Sequence, residues 1–283
     1  MSTAFTEQRI QSGELTSHVL TAGDPSSPAL VLLHGAGPGA SAASNWRHCL
    51  PDLAERFFVI APDMTGFGAT EYPDPLPNYA LSWMGLRVEQ VLGLLDTLGI
   101  EEAGIVGNSM GGATALHILL EAPERFNKAM LMGAIGAPFT RTPELVRMLS
   151  FYQDPRLPRY RELIHSFVAD PSTVPDLEET VLERFRTAMD PSVRAVQDNA
   201  FEVMKSGMDT IILPPSVLAR LPHDVSIVHG RQDRIVPLET SLYFLEHLKN
   251  AELHVLDRCG HWAQTQRWDA MLPLINDHFG LRG

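Results

Sequence analysis

Ala103-Gly104-Ile105-Val106-Gly107-Asn108-Ser109-Met110-Gly111-Gly112 is the stretch on which the fold turns. Its first four residues are a short apolar run, and the segment that follows, Ala113-Thr114-Ala115-Leu116-His117-Ile118-Leu119-Leu120, reads as a helix. A serine between them, spaced Gly-x-Ser-x-Gly, marks a sharp strand-to-helix bend that leaves its hydroxyl accessible. Glycine is required at 107 and 111 because strand and helix cross too closely there for side chains. The stretch predicts a nucleophilic serine on a strained turn, at the carboxyl end of a buried strand.

Similar apolar runs recur on both sides: Leu30–Leu33, Phe58–Ala61, Ala129–Met132, Ser226–Val228 and Leu253–Leu256. With Gly104–Val106 they predict six strands buried on both faces of a mostly parallel sheet, an α/β architecture with flanking helices. Glu14–Leu20 alternates polar and apolar residues and predicts an antiparallel edge. A helix from about Tyr79 to Leu98 carries one apolar stripe, Leu81, Met84, Val88, Val91, Leu92 and Leu95. Strand signals stop between Pro138 and Leu213, where prolines such as Pro155, Pro158, Pro171, Pro175 and Pro191 cut the chain into short helices. The pattern resumes at Val225, so the expectation is one core, residues 1–137 and 214–283, with a helical cap inserted at 138–213. No internal repeat interrupts it.

A chain of 283 residues, 45% hydrophobic and 20% charged, is large enough for one continuous core of this kind. Its net charge of −12, without basic clusters, argues against nucleic acid and anionic membrane surfaces as partners. The same charge repels an anionic substrate, which would need a local cation in its pocket. Cys49 and Cys259 stand far apart and make no disulfide framework, which favours a reducing compartment. The first residues lack the basic start and apolar stretch of a signal peptide, and no window has the length of a membrane span. The expected location is the cytoplasm. No His, Cys or Asp set has metal-ligand spacing, and no cofactor is called for.

Ser109 needs a base and an acid. His261, in Arg258-Cys259-Gly260-His261-Trp262, follows the last predicted strand, and Asp233, in His229-Gly230-Arg231-Gln232-Asp233, follows the one before it. Loops at the carboxyl ends of parallel strands gather at one edge, so the three can meet. The chain order Ser, Asp, His is the one this architecture uses. His261 would take the Ser109 proton, and Asp233 would fix the imidazole tautomer. Asp63 also ends a strand and is a rival acid, but in Asp63-Met64-Thr65-Gly66 a turn-forming role fits better. His34 and His229 each sit in a His-Gly pair and would brace turns. The loop His34-Gly35-Ala36-Gly37-Pro38-Gly39-Ala40 offers backbone N–H groups; Ala36 and Met110 are the candidates to face an oxyanion. A phosphate-binding loop would need a Lys-Ser/Thr ending that is missing here.

These segments, with Ser44-Asn45-Trp46-Arg47, Leu131-Met132-Gly133 and Cys259-Gly260-His261-Trp262-Ala263-Gln264, resemble the meta-cleavage product hydrolases, carbon–carbon bond hydrolases of the α/β-hydrolase fold. The likeness runs nearly end to end, is nearest to the 2-hydroxymuconate semialdehyde hydrolase branch, and weakens in the cap. It implies a small anionic dienone substrate, a 2-hydroxy-6-oxohexa-2,4-dienoate, that is ketonised and then cut by water between C5 and C6. It implies the triad Ser109, Asp233 and His261, oxyanion donors Ala36 and Met110, and a grip by Arg184 on the substrate carboxylate. Asn45, Asn108, Trp262, Gly35 and Gly37 would line the dienoate half, and the family often assembles as homo-oligomers. Ala36 replaces a glycine common at that position, which a backbone donor tolerates.

Physical chemistry favours an arginine independently, since guanidinium pairs with carboxylate bidentately. The competing expectation for Arg184 is a surface residue paired with Glu183 or Glu179, with Arg47 and Arg186 as substitutes. Trp262 could equally pack behind His261. Phe139, Phe151, Tyr152, Phe167, Met189 and Met204 are candidates to shape the C6 pocket. An ester or lactone hydrolase would share the triad, and a non-catalytic receptor would have no reason to keep all three residues. Serine at 109 argues against a dehalogenase, whose nucleophile would be Asp.

Overall fold

The computed structural model describes residues 5–280, and in it the apolar runs pair into one eight-stranded sheet. Its strands are β1 (Thr6–Ser12), β2 (Leu15–Ala22), β3 (Ala29–Leu33), β4 (Phe58–Pro62), β5 (Ala103–Asn108), β6 (Phe126–Met132), β7 (Asp224–Gly230) and β8 (Asn250–Leu256). Their order is β1-β2-β4-β3-β5-β6-β7-β8, with β2 antiparallel to both neighbours and β3 through β8 parallel. The chain winds one way from β3 to β4, then returns to place β5 on the other side of β3. Such a reversal opens a crevice at the strands' carboxyl ends, where ligands bind. The register Leu33↔Gly107 sets the loop after β3 beside Ser109.

Two strands depart from the sequence reading. β1 was not foreseen, because only Ile10 and Ser12 of Thr-Glu-Gln-Arg-Ile-Gln-Ser are buried. An edge strand covered on little of its surface carries no apolar signal. β8 was expected to be buried on both faces, but it is the other edge, and Val255 is 43% exposed.

Helix α1 (Ala80–Leu98) covers the sheet with Met84, Val88, Val91 and Leu95, and ends at Gly99 in a left-handed cap that donates to Leu95 and Asp96. Leu81 of the predicted stripe is instead exposed, and the buried face also holds Arg87 and Gln90. Gln90 spends its amide well: it donates to Ser17 and to the Asp63 carbonyl, and accepts from the Thr65 N–H. Helix α2 (Met110–Glu121) follows Ser109 and is buried along its length. Between β6 and β7 come α3 (Pro143–Leu149), α4 (Leu157–Ser166), α5 (Leu177–Met189) and α6 (Pro191–Gly207), without an intervening strand. Pro143, Pro158 and Pro191 stand in first turns, where a missing N–H costs nothing. The apolar faces of these helices merge with the core on one side of the sheet. Helices α7 (Glu239–His247) and α8 (Trp268–Phe279) complete the flanks. Cys49 and Cys259 are both buried and free.

Asp63 ties loops together. One carboxylate oxygen accepts from the Ala42 N–H at 2.6 Å; the other accepts from Ala69 N–H at 2.9 Å and His18 Nδ1 at 2.8 Å. The Asp63 hydrogen bond raises the His18 pKa above its ordinary 6.5, outweighing burial. A raised histidine stabilises the fold below its unfolded value and ceases to do so as pH climbs through the folded one. His18→Gln is therefore expected to destabilise the protein by about 1 kcal/mol at pH 5.5. Urea unfolding should find that difference shrinking steadily as pH rises above 6.5.

Candidate active site

Ser109 sits between β5 and α2 with φ 54° and ψ −113°, a conformation a side-chain-bearing residue adopts only under strain. Glycine permits it on both sides. A Cβ on Gly107 would lie 2.3 Å from the Gly111 carbonyl oxygen, and one on Gly111 2.3 Å from that of Leu33. The bend is pinned from β6: Ser109 N–H donates to Met132 at 2.8 Å, and the Ser109 carbonyl accepts from Ile135 N–H at 3.2 Å.

Asp233 and His261 come together across the ends of β7 and β8. His261 Nδ1 donates to Asp233 Oδ2 at 2.7 Å, while Asp233 Oδ1 accepts from the N–H groups of Ile235 and Val236 at 2.8 and 3.0 Å. His229, which burial keeps below the ordinary histidine pKa, donates from Nε2 to the Val236 carbonyl and accepts at Nδ1 from Ser241. It thereby braces the loop that carries Asp233. His261 N–H donates to the Phe167 carbonyl at 2.7 Å, and the two rings lie 5.5 Å apart. Asn108, next to Ser109, donates to the carbonyls of Met132 at 3.0 Å and His261 at 3.4 Å, tying the Ser109 turn to the His261 loop. Ser109 and His261 are 7% and 3% exposed. Among the described residues no hydrogen bond joins their side chains; such contacts commonly tighten only once substrate is bound.

The loop after β3 packs against β5 and α5 through its glycines. A Cβ on Gly35 would lie 2.8 Å from Asn108 Oδ1, and one on Gly37 would lie 3.0 Å from an Arg184 terminal nitrogen. One on Gly39 would meet the Arg184 carbonyl oxygen at 1.9 Å, so only glycine lets α5 approach this closely. Gln197 of α6 accepts the Gly39 N–H at 3.0 Å, and Tyr160 of α4 donates to the Pro38 carbonyl at 2.7 Å. Tyr152 in turn donates to Gln197 at 2.8 Å. Helices α4 and α6 therefore fix the loop whose Ala36 N–H, with that of Met110 at the start of α2, makes no hydrogen bond among the described residues. His34 is held neutral, its pKa lowered by burial to about 4; Nδ1 donates to Gly35 and Nε2 accepts the Met64 N–H.

Arg184 is 2% exposed, with its guanidinium 5.1 Å over the Trp262 ring. Its Nε has no hydrogen-bond partner, and among the described residues no carboxylate pairs with it. Glu183 pairs instead with exposed Arg47 at 3.3 Å, and Arg186 is exposed. The expected surface pairing of Arg184 is absent.

A family model described as alpha/beta hydrolase fold matches residues 28–267. A 2-hydroxy-6-oxo-6-phenylhexa-2,4-dienoate hydrolase from Rhodococcus sp. strain RHA1 superposes with a TM-score of 0.96 at 63% identity, over 97% of this chain and 98% of that one. The 2-hydroxy-6-oxo-2,4-heptadienoate hydrolase of Pseudomonas putida is 35% identical over 93% of this chain and 92% of its own. The 2-hydroxymuconate semialdehyde hydrolase of Pseudomonas sp. strain CF600 is also 35% identical, over 88% and 85%. The chain belongs to the meta-cleavage product hydrolases.

A cavity opens on Ser109, Ala36 and Met110, walled by Ile135, Leu145, Met148, Phe201, Met204 and Met208. Of the residues expected to shape it, Met204 does so. Phe151 and Tyr152 lie in an aromatic cluster with Tyr160, and Phe167 packs on His261 and Trp262. Phe139 lines a separate small cleft beside Arg141, and Met189 is half-buried on α5. Asn45 is buried, but its amide turns back to the Ser41 carbonyl of its own helix at 2.9 Å. Two polar groups escaped the sequence reading: Gln264, buried with both amide atoms unpartnered, and Arg87, which lines the Ser109 cavity. Gln264 closes the Cys259–Gln264 segment but had no role assigned to it there, and Arg87 was legible only as a charge on the apolar face of a helix.

Proposed function

We propose that the protein hydrolyses the C5–C6 bond of 2-hydroxy-6-oxohexa-2,4-dienoates bearing a substituent at C6, using Ser109, His261 and Asp233. The observation that carries this reading is Arg184, a buried guanidinium without a carboxylate partner beside the Gly35–Gly39 loop. An unpaired buried charge is costly unless a ligand pairs with it. The substrate's C1 carboxylate supplies that partner, with Asn108 and Trp262 around the dienoate and Gly35 and Gly37 leaving room for it. The names of the relatives point the same way.

The substrate first ketonises, losing the C2 hydroxyl proton and gaining one at C5. Ser109 Oγ then adds to the C6 carbonyl as His261 Nε2 takes its proton, and the C6 oxyanion accepts from the N–H groups of Ala36 and Met110. The C5–C6 bond breaks, and its electron pair passes through C4 and C3 to the C2 oxygen, giving a 2-hydroxypenta-2,4-dienoate after protonation. Water, deprotonated by His261, cleaves the remaining C6 acyl ester and regenerates Ser109. Residues 138–213 serve as the lid that carries Arg184 and closes the C6 side. There the free volume is about 30 Å³, room for one water, so any larger C6 group enters by displacing methionine side chains. The protein acts on this small anionic molecule rather than on nucleic acid, as a cytoplasmic homo-oligomer; among the described residues no helix is long and apolar enough to cross a membrane.

Arg184→Met tests the reading. kcat/KM for a yellow dienone, followed by absorbance loss, is expected to fall about 10- to 100-fold. Hydrolysis of a neutral p-nitrophenyl ester should change less than threefold. Equal losses on both would return Arg184 to a structural role and favour the ester or lactone hydrolase.

A further inference from the structure

Around the site, buried hydrogen bonds tie residues 138–213 to the rest of the chain: Tyr160 to the Pro38 carbonyl, the Gly39 N–H to Gln197 and the His261 N–H to the Phe167 carbonyl. One contact is of another kind. Arg47 Nη2 pairs with Glu183 Oε1 at 3.3 Å, and among the described residues it is the one ion pair that joins 138–213 to the rest. The two side chains are 53% and 54% exposed. Such a pair contributes only about 0.2–1 kcal/mol, so it breaks readily.

Arg47 and Glu183 both line a cleft of about 460 Å³, large enough for a small ligand, against about 30 Å³ beside Ser109. Ser44 and His48 flank Arg47 on one wall, Leu177 and Thr180 of α5 join Glu183 on the other, and the cleft reaches Trp262. That ring is the one over which the Arg184 guanidinium lies at 5.1 Å. The cleft therefore ends at the Arg184 end of the site. Helix α5 is anchored mid-length by the close approach of its Arg184 carbonyl to Gly39, so widening the cleft falls to its exposed side chains. Charge gives the two paired residues opposite effects on an anion. The chain carries a net −12, and Asp176, Glu179 and Glu183 all line the cleft, with Arg47 its one lysine or arginine. While paired, Glu183 cancels the attraction that Arg47 offers. An arriving carboxylate can take the place of Glu183 on the guanidinium, and that exchange opens the pair.

We infer that this cleft is the port by which the anionic dienone reaches Arg184, with Arg47 drawing the carboxylate in and the Arg47–Glu183 pair as the latch. The inference rests on the carbon–carbon hydrolase reading above and adds to it a route and two residues. Neither residue touches the reacting atoms; Arg47 acts on the substrate before it is bound.

Stopped-flow binding of the yellow 6-phenyl dienone to the Ser109→Ala protein separates entry from chemistry. Thr180→Trp, added to that protein, sets an indole in the cleft. Association and dissociation rate constants should both fall about tenfold with Kd within about threefold, since an obstructed port slows both directions alike. Ala43→Trp, on the facing wall, should repeat the result. Arg47→Gln should lower the association rate constant about tenfold at about 10 mM salt and less than about twofold at about 1 M, where charges are screened. Glu183→Gln should raise it about threefold at the lower salt. Opposite signs mark steering, because a pair that merely holds two segments together gives the same sign from either side. An association rate constant that neither tryptophan lowers overturns the port. Changes of the same sign in Arg47→Gln and Glu183→Gln, or an Arg47→Gln loss that persists at about 1 M salt, overturn the role of Arg47 and its latch. A wild-type protein that bleaches no dienone would instead remove the carbon–carbon hydrolase reading and this one with it.

Discussion

Ser109→Ala should lose about a thousandfold or more in kcat while retaining the fold and the affinity for the dienone. The substitution removes one oxygen from a residue whose backbone strain is imposed by its neighbours. Gly107 and Gly111 still allow the crossing, Met132 still accepts the residue-109 N–H, and alanine keeps the Cβ that packs near Gly35. The Ala36 and Met110 N–H groups proposed as oxyanion donors and Arg184 remain, so the residual rate over water should reflect binding and polarisation alone. Stopped-flow absorbance on the variant should show the yellow chromophore binding and then persisting. A variant that bleaches it within tenfold of the wild-type rate would show that the hydroxyl is not the attacking group.

The elbow was legible because its chemistry and its geometry demand the same letters. Gly107 and Gly111 are fixed by carbonyls 2.3 Å from where a Cβ would stand, and a sequence reader sees both glycines. Asp233 and His261 were legible from order and from position after apolar runs, and they meet at 2.7 Å. Strands buried on both faces announced themselves; β1, with two buried residues, could not. The partners of the loop after β3 were hidden for another reason. Gln197 reaches Gly39 across 158 residues, and Tyr160 reaches Pro38 across 122, through contacts that have no local periodicity. Arg87 was hidden by its surroundings, since a charge on an otherwise apolar helical face reads as an error in the stripe until the cavity beside it is seen. Asp63 had the sequence credentials of an acid and is occupied instead with His18, Ala42 and Ala69.

Asp233→Asn should be nearly as damaging, for a reason visible in the hydrogen bonds. In the wild-type protein one carboxylate oxygen is taken by two backbone donors, Ile235 N–H and Val236 N–H, and the other accepts from His261 Nδ1. An asparagine has a single oxygen. Two fixed donors require an acceptor, so the amide oxygen turns to Ile235 and Val236 and the NH2 group faces His261. Imidazole Nδ1 must then accept, which places the ring proton on Nε2, pointing at the hydroxyl it should deprotonate. The ring keeps its place, held by the His261 N–H to the Phe167 carbonyl and by the Phe167 ring, but in the wrong tautomer. Losses of about 10⁴ in kcat accompany that error in serine hydrolases of other folds. The variant should keep its KM for the dienone within a few fold, because Arg184 and its Trp262 support lie outside this network. Imidazole nitrogen NMR shifts would report the tautomer directly. A kcat within tenfold of wild type, or an Nδ1 that still carries the proton, would mean that the carboxylate at 233 merely packs beside the base.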